Sequence, residues 1–398
     1  MISVESALQK VRALAAPLGA EEVPLSAAAG RVLAASARAR RAQPPFDASA
    51  MDGYAVAAQD LAPGTRLRLI GEAAAGHAFA GGVASGEAVR IFTGAPVPEG
   101  ADRVIIQEDV TRAGAQITIR TDIDSATHIR PAGSDFGADF VLPAPRRLRA
   151  VDLALLAAMN VERVQVTRRP VVALIATGDE LVMPGETPRE DQIVASNIFA
   201  LQAMIEAEGG EARLLPIARD TADSLRGVFD LAAGADLVVT IGGASVGTHD
   251  LVGSVAGDLG MDRAFYKVAM RPGKPLMAGR LRGTAMLGLP GNPVSAIVCG
   301  MLFLLPALRA MQGLTDVAPQ PRTARLGCDV DANGPRAHYM RARLRHTGAM
   351  PEITPVASQD SALLGMLAQA HALLLRPPDD AARTAGTQVP YLPLPASA

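Results

Sequence analysis

Residues 168–178, RRPVVALIATG, decide the fold. After Pro170 come six aliphatic or small residues in a row, and the run ends in Thr177-Gly178. An unbroken apolar run of that length fits a strand buried on both faces, as in a parallel sheet covered by helices. The pattern returns in ADLVVTIGG (235–243) and GTAMLGLPG (283–291). Between these runs, SNIFALQAMIEAEGG (196–210) and DSLRGVFDLAAG (223–234) show helical spacing. Strands alternating with helices predict a parallel α/β sheet over about 168–315.

The flanks read differently. Val4, Leu8, Val11, Ala15 and Leu18 fall on one helical face, and RAVDLALLAAM (149–159) is helical too. From 21 to about 145 the chain is short apolar runs broken by Gly and Pro, which is strand-and-turn sequence. Alternation resumes after Gln312, as in RAHYMRARLRHTG (336–348), and predicts a small β-domain from about 318. The segments 44–56 and 131–142 resist placement by period.

Composition narrows the class. The chain has 398 residues, 49% hydrophobic and 20% charged, with a net charge of −2. No field of one sign points to nucleic acid or an anionic membrane, so an anionic ligand needs a local basic site. Cys299 and Cys328 are the only cysteines, which suits a reducing, cytoplasmic setting. Glu5, Gln9, Lys10 and Arg12 break up any signal-like apolar stretch at the N-terminus. AIVCGMLFLLPAL (296–308) is short for a membrane span and holds Pro306.

Parallel strands end on one side, where open α/β sheets bind ligands. Three loops fall there: ATGDEL (176–181), IGGASVGTHD (241–250) and GLPGNPVSA (288–296). In the first, Asp179 and Glu180 are hard oxygen ligands or bases. In the second, Gly242, Gly243 and Gly247 allow close backbone approach, Ser245 can donate to an oxyanion, and Asp250 adds a carboxylate. In the third, Asn292 fits an N-cap and Pro293 the first helical position, a helix start that favours an anion. Lys267, Arg271 and Lys274 lie between the last two loops and can neutralise phosphate or another oxyanion. Carboxylates with cations suggest a phosphorylated substrate held with Mg²⁺. Taken singly, each acid is more often a turn residue and each cation a solvated one; three such loops at one edge carry the inference.

Other signals are weaker. Gly243–Gly247 matches G-x-S-x-G, so a serine hydrolase with Ser245 as nucleophile is a competing expectation. Neither a P-loop nor a dinucleotide fingerprint occurs. The six histidines form no close zinc pair. Arg341, Arg343 and Arg345 share one strand face, and such rows are mostly solvated.

PPFDASAMDGYAV (44–56), IFTGAPVPEGADRVIIQED (91–109), RPAGSDF (130–136), ATGDEL, GGASVGTHD (242–250), MRPGKP (270–275) and LPGNPVSA (289–296), in this order, resemble the MoeA/gephyrin E-domain family, the molybdopterin molybdenumtransferases. The resemblance runs from about residue 3 to 395. It implies a multidomain α/β plus β fold: a discontinuous N-terminal domain (1–26, 43–56 and 140–168), a β-rich insert (27–42 and 57–139), a MoaB/Mog-like α/β domain (169–315) and a C-terminal β-barrel (316–398). It implies a homodimer with an active-site cleft lined by both subunits. The implied reaction turns adenylylated molybdopterin and molybdate into molybdenum cofactor and AMP, with Mg²⁺. The partners it implies are a molybdopterin adenylyltransferase and the maturation machinery of molybdoenzymes, with no nucleic acid and no membrane.

Position by position, the resemblance makes Asp52, Glu180, Asp250, Lys267 and Lys274 the catalytic set. Thr93, Asp135, Gly242, Gly243, Ser245, Arg271, Pro290, Asn292, Pro293 and Ser361 become the binding set, and Glu180, Asp220 and Asp250 the metal set. Asp47 is expected to tie down a turn. Arg271 stands where many members have Lys, Ala48 where Asn is common, and Asp360 where Gly is common. A receptor-anchoring scaffold on the same fold is a third reading, since fold does not fix function.

Overall fold

A computed structural model describes residues 1–243, 251–346 and 348–394, and the chain divides into two compact units. One comprises Met1–Glu21 with Thr167–Ala398, the other Glu22–Val166.

The first unit opens with α1 (Val4–Leu14), capped by Ser3, whose side chain accepts from the Ser6 N–H. Then follow β1 (Val171–Ala176), α2 (Asn197–Ala207), β2 (Glu211–Leu214), α3 (Ala222–Leu231), β3 (Leu237–Ile241), α4 (Leu251–Asp258), β4 (Asp262–Tyr266), β5 (Met277–Leu281) and β6 (Thr284–Leu289). They form one sheet in the order β2-β1-β3-β6-β5-β4. The pairings of β2, β1, β3 and β6 are parallel, and the two pairings of β5 are antiparallel. The long apolar runs are explained by burial on both faces. Val172, Leu174, Val239 and Leu287 pack with α1, α2 and the helix after β6, whereas Ala173, Ile175, Val238 and Met286 pack with α3 and α4.

That following helix, α5 (Pro293–Met311), corrects one expectation. The helix is continuous through Pro306 and, by length and composition alone, long enough to cross a membrane, but 89% of its most apolar stretch is buried inside the protein. A π-turn at Gly300–Leu304 restarts the helical register, so Pro306 sits in the first turn of the next α-segment, where its missing N–H costs little.

β7 (Arg322–Leu326), β8 (Ala337–Arg345), β9 (Glu352–Pro355), β10 (Ala372–Arg376) and β11 (Gln388–Pro393) run in the order β8-β9-β7-β11-β10, and β10 pairs back onto β8 to close a five-stranded barrel. Ala324, Ala342, Ile353, Leu374 and Tyr391 fill it. The arginine row on β8 is not uniformly solvated as expected. Arg343 and Arg345 are exposed, but Arg341 is 1% exposed because its guanidinium donates to the Leu363 and Ser358 carbonyls of the following loop.

The second unit holds most of a four-stranded sheet (Ala20–Pro24, Arg163–Thr167, Val32–Leu33, Arg146–Arg147), whose first two strands run across the unit boundary, together with the helix Ala150–Ala158 and a six-stranded sheet. Gly53–Val56 is a central strand of that larger sheet, between Arg103–Ile106 and Glu87–Ile91. Two domain limits drawn from the sequence therefore cut across hydrogen-bonded strands. Gly53–Val56 pairs with the segments assigned to the β-rich insert, and Val32–Leu33 pairs with Arg146–Arg147 outside it.

His338 on β8 is buried and pushed down to about 4 from an ordinary 6.5, first by burial and then by the positive charges of Arg271, Arg376, Arg336 and Arg341. The unfolded chain therefore binds the extra proton first. Stability contributed by neutral His338 is complete above pH 6.5 and is lost as pH falls from there toward about 4. In thermal melts across that window, His338→Gln should flatten the acid-side decline relative to wild type.

Candidate functional site

The strand order reverses between β1 and β3: the chain leaves β1 for β2 on one side and returns to β3 on the other. A crevice at the carboxyl ends is the geometric consequence. A cavity of about 1650 Å³ lies there, entirely within the first unit. The loops after β1, β3 and β6 all reach it, as the sequence predicts.

Glycine makes the junction of these loops. Gly242 has φ +96° and Gly243 φ +64°. A methyl group on Gly242 would stand 2.8 Å from the Thr177 carbonyl oxygen, and one on Gly291 would stand 3.5 Å from Gly242 Cα. Gly178, at φ +145°, is pressed by Glu180: an added Cβ would fall 2.3 Å from Glu180 Oε2.

Glu180 and Asp220 are forty residues apart in sequence and both line the cavity. A staple of hydrogen bonds joins their loops. Arg219 donates to the carbonyls of Gly178 (3.3 Å), Asp179 (3.3 Å) and Leu181 (3.0 Å). The Asp220 N–H donates to Asp179 Oδ1 at 3.1 Å. Asp179 is thus a positioning group, and neither Glu180 nor Asp220 forms an ion pair among the described residues. Two hard oxygen donors on one wall suit Mg²⁺, which takes one or two carboxylates and completes its shell with water or substrate oxygens. No cluster of three metal-binding side chains occurs among the described residues. Asp250, the third acid expected, lies outside them, as do Ser245 and the G-x-S-x-G serine reading that rests on it.

Of the remaining expected residues, Gly242, Gly243, Arg271 and Lys274 line the cavity. So do Pro290, Asn292, Pro293 and Ser361. Asn292 occupies the N-cap position of α5 without capping it: its Nδ2 donates to Ser361 Oγ at 2.9 Å. The Val294 N–H donates to the Ser361 carbonyl at 3.1 Å, so part of the helix start is used by the protein itself. Lys267 is not brought to the cavity. Its backbone has φ +71° and donates to the Leu276 carbonyl, and its ammonium sits 5.0 Å over the Tyr266 ring.

Three expected residues, Asp52, Thr93 and Asp135, belong to the second unit, where the first two are brought together. Asp52 Oδ1 accepts from both the N–H and the hydroxyl of Thr93, each at 2.8 Å. The Thr93 N–H, then its hydroxyl, and to a smaller extent the Arg90 charge hold the exposed Asp52 carboxyl below the usual range. Arg90 lies between the Tyr54 and Phe92 rings, 4.9 and 4.8 Å from their centroids, and donates to the Gly53 carbonyl. Asp135 is exposed, with its N–H on the Gln43 carbonyl. Asp47 accepts from the Ala132 N–H at 2.7 Å, so its side chain ties together two segments 85 residues apart rather than closing the local turn expected of it.

Sequence reasoning missed Arg336, Ser358, Gln359 and Asn197, all of which line the cavity. The first three come from barrel loops that follow no parallel strand of the sheet, and Asn197 from a helix start that reads as an ordinary boundary.

Comparison with known proteins bears on this site. Residues 2–160 match the family profile described as "MoeA N-terminal region (domain I and II)", residues 173–310 "Probable molybdopterin binding domain", and residues 323–394 "MoeA C-terminal region (domain IV)". The chain is 35% identical to a molybdopterin molybdenumtransferase of Nostoc, covering 94% of this chain and 89% of that one. It is 36% identical to molybdopterin molybdenumtransferase 2 of Mycobacterium tuberculosis, covering 92% and 93%. A crystal structure of a molybdopterin biosynthesis MoeA protein from Pyrococcus horikoshii aligns with a TM-score of 0.85 at 31% identity, over 99% of both chains.

The packing at Gly178 gives a direct test. Gly178→Ala should cost about 1–3 kcal/mol in thermal or denaturant unfolding, from a disfavoured φ and a displaced Glu180. Gly227→Ala, in α3 with nothing within 4 Å of the new methyl, should be neutral or stabilising by up to about 1 kcal/mol.

Proposed function

This chain belongs to the MoeA family, and we propose that it transfers molybdenum from molybdate to adenylylated molybdopterin and releases AMP. The observation that carries the reading is the single cavity in which Glu180 and Asp220 meet Arg271, Lys274 and Arg336. Its volume exceeds the roughly 300–1,000 Å³ of a drug-sized pocket, which suits a pterin nucleotide together with a second, small oxyanion.

The reaction asks the protein to hold a phosphorylated pterin, admit molybdate and let AMP leave. Arg271, Arg336 and Lys274 offset the negative charge of phosphate and molybdate. Arg271 adds a forked donor where a lysine would offer a point charge. The loop at Gly242 and Gly243 lets the substrate approach the main chain closely. Mg²⁺ would be held by Glu180 and Asp220, and when bound it screens the phosphate oxygens and polarises them. Arg219 and Asp179 fix the loops that carry Glu180 and Asp220 through main-chain hydrogen bonds, without forming an ion pair with either carboxylate. In the second unit, Thr93 fixes Asp52 as a carboxylate for the same reaction. The proposal includes a cytoplasmic homodimer that receives its substrate from a molybdopterin adenylyltransferase and passes its product to molybdoenzyme maturation.

Incubating the purified protein with adenylylated molybdopterin, molybdate and Mg²⁺ should yield AMP and a cofactor that reconstitutes an apo-molybdoenzyme. Lys274→Ala and Asp52→Ala should each lower kcat/KM by about 10²-fold, the range for loss of a group that positions or stabilises charge. A protein that releases no AMP, or an Asp52→Ala variant with full activity, contradicts the reading.

A further inference from the structure

Asn197 opens α2 at the wall of the cavity. Its Nδ2 donates to the Gly291 carbonyl at 2.7 Å, across 94 residues of sequence. The Ser196 hydroxyl approaches Asn197 Oδ1 at 3.4 Å, which favours the orientation with the amide nitrogen toward Gly291. On the other side of the same short loop, Asn292 and Val294 hold Ser361 through its hydroxyl and its carbonyl. The Pro290–Pro293 segment is therefore gripped from two directions, by a helix of the sheet and by a loop of the barrel. Beyond Ser361, that barrel loop is fixed by buried Arg341 on the Ser358 and Leu363 carbonyls and by Gln359, which donates to the Arg341 and Val356 carbonyls.

The grip from α2 is needed for a physical reason. Pro290 and Pro293 fix their own φ angles, but Gly291 between them has the widest backbone freedom of any residue. Gly291 has no side chain to pack, and its close approach to Gly242 is backbone against backbone. A polar contact to its carbonyl is the contact that sets its peptide plane from the α2 side. Rotation of that plane would carry Asn292 with it, and with Asn292 the Ser361 hydroxyl.

We propose that Asn197 is a positioning residue for the molybdenum-transfer reaction: by holding the Gly291 carbonyl it sets Asn292 and Ser361 against the bound pterin nucleotide. This rests on the function proposed above and assigns Asn197 no contact with substrate.

Asn197→Asp keeps the shape of the side chain and replaces the donor with an oxygen that repels the Gly291 carbonyl. Hydrogen–deuterium exchange on the full chain should rise about tenfold or more in peptides covering 288–296. Peptides from α3 should be unchanged. In the molybdenum-transfer assay kcat/KM should fall about 10–100-fold, and the Asn197→Asp/Ser361→Ala double variant should stay within about threefold of the weaker single, because both act through one loop. Asn197→Gln, which keeps an amide donor, should recover part of the loss. If Asn197→Asp does not fold, as judged by its melt, Asn197→Ser is put through the same measurements. Unchanged exchange in 288–296 overturns the proposal, and so do losses that multiply in the double variant. If the wild-type protein transfers no molybdenum, the proposed function has failed, and the exchange measurement still decides whether Asn197 holds the loop.

Discussion

Gly242 has no side chain, and the cavity depends on that. β1, β3 and β6 are neighbours in one sheet, with strands about 4.8 Å apart. Their loops leave the same edge and must pass one another within that spacing. Where the middle loop leaves β3, at Gly242, it can do so only as bare backbone, since a methyl there would stand 2.8 Å from the Thr177 carbonyl oxygen. The frame behind it is stiff for a different reason. Both faces of the sheet are covered, by α1, α2 and α5 on one side and α3 and α4 on the other, and the inward side chains are almost wholly removed from water. Burial of that kind is worth about 25 cal/mol per Å² of apolar surface and resists local displacement. The site is thus a set of glycine-bearing turns mounted on a rigid edge.

Charge is handled differently inside the cavity and outside it. Away from it, several acids are paired: Asp152 with Arg146 and Arg149, Asp236 with Arg168, Glu208 with Arg309, Asp380 with Arg376 and Arg383. Within it, Glu180, Asp220, Arg271 and Lys274 form no ion pair among the described residues. Arg219, next to Asp220 in sequence, spends its guanidinium on three main-chain carbonyls. Charge of both signs lining one cavity without internal pairing is the arrangement an anionic ligand with a cation can use.

Much of this was legible in the sequence. The β-branched runs fixed the parallel strands, because only double burial tolerates such runs, and their glycine-bearing ends fixed which edge would carry the site. What escaped was the contribution of distant chain. Arg341 sits in an alternating strand, and alternation alone assigned it a solvent face. Its burial comes from carbonyls at 358 and 363 that no local pattern announces. Lys267 has the right charge near the right loop, but a left-handed backbone at that residue turns it onto Tyr266. Asn292 carries an N-cap signature and occupies the N-cap position, yet its amide is drawn away by Ser361, 69 residues later. In each case the residue type was readable and its partner was not.

The pair Asp47 and Asp52 shows how differently two neighbouring acids in sequence can be held. They stand five residues apart and share the same small, apolar surroundings. Asp47 accepts a main-chain N–H from Ala132 through its side chain, while its own carbonyl accepts from Val97, so side chain and backbone both tie its segment to distant chain. Asp52 is held as firmly, but in another way. Both donors of Thr93 converge on Oδ1, its carbonyl accepts from the Gln107 N–H, and Arg90 fixes the next carbonyl from between two aromatic rings. Among the described residues each carboxylate is engaged through Oδ1. The two differ in their donors, one main-chain N–H for Asp47 against the N–H and hydroxyl of Thr93 for Asp52, and that follows from the strands bringing Thr93 beside Asp52 rather than from either aspartate's neighbours in the chain.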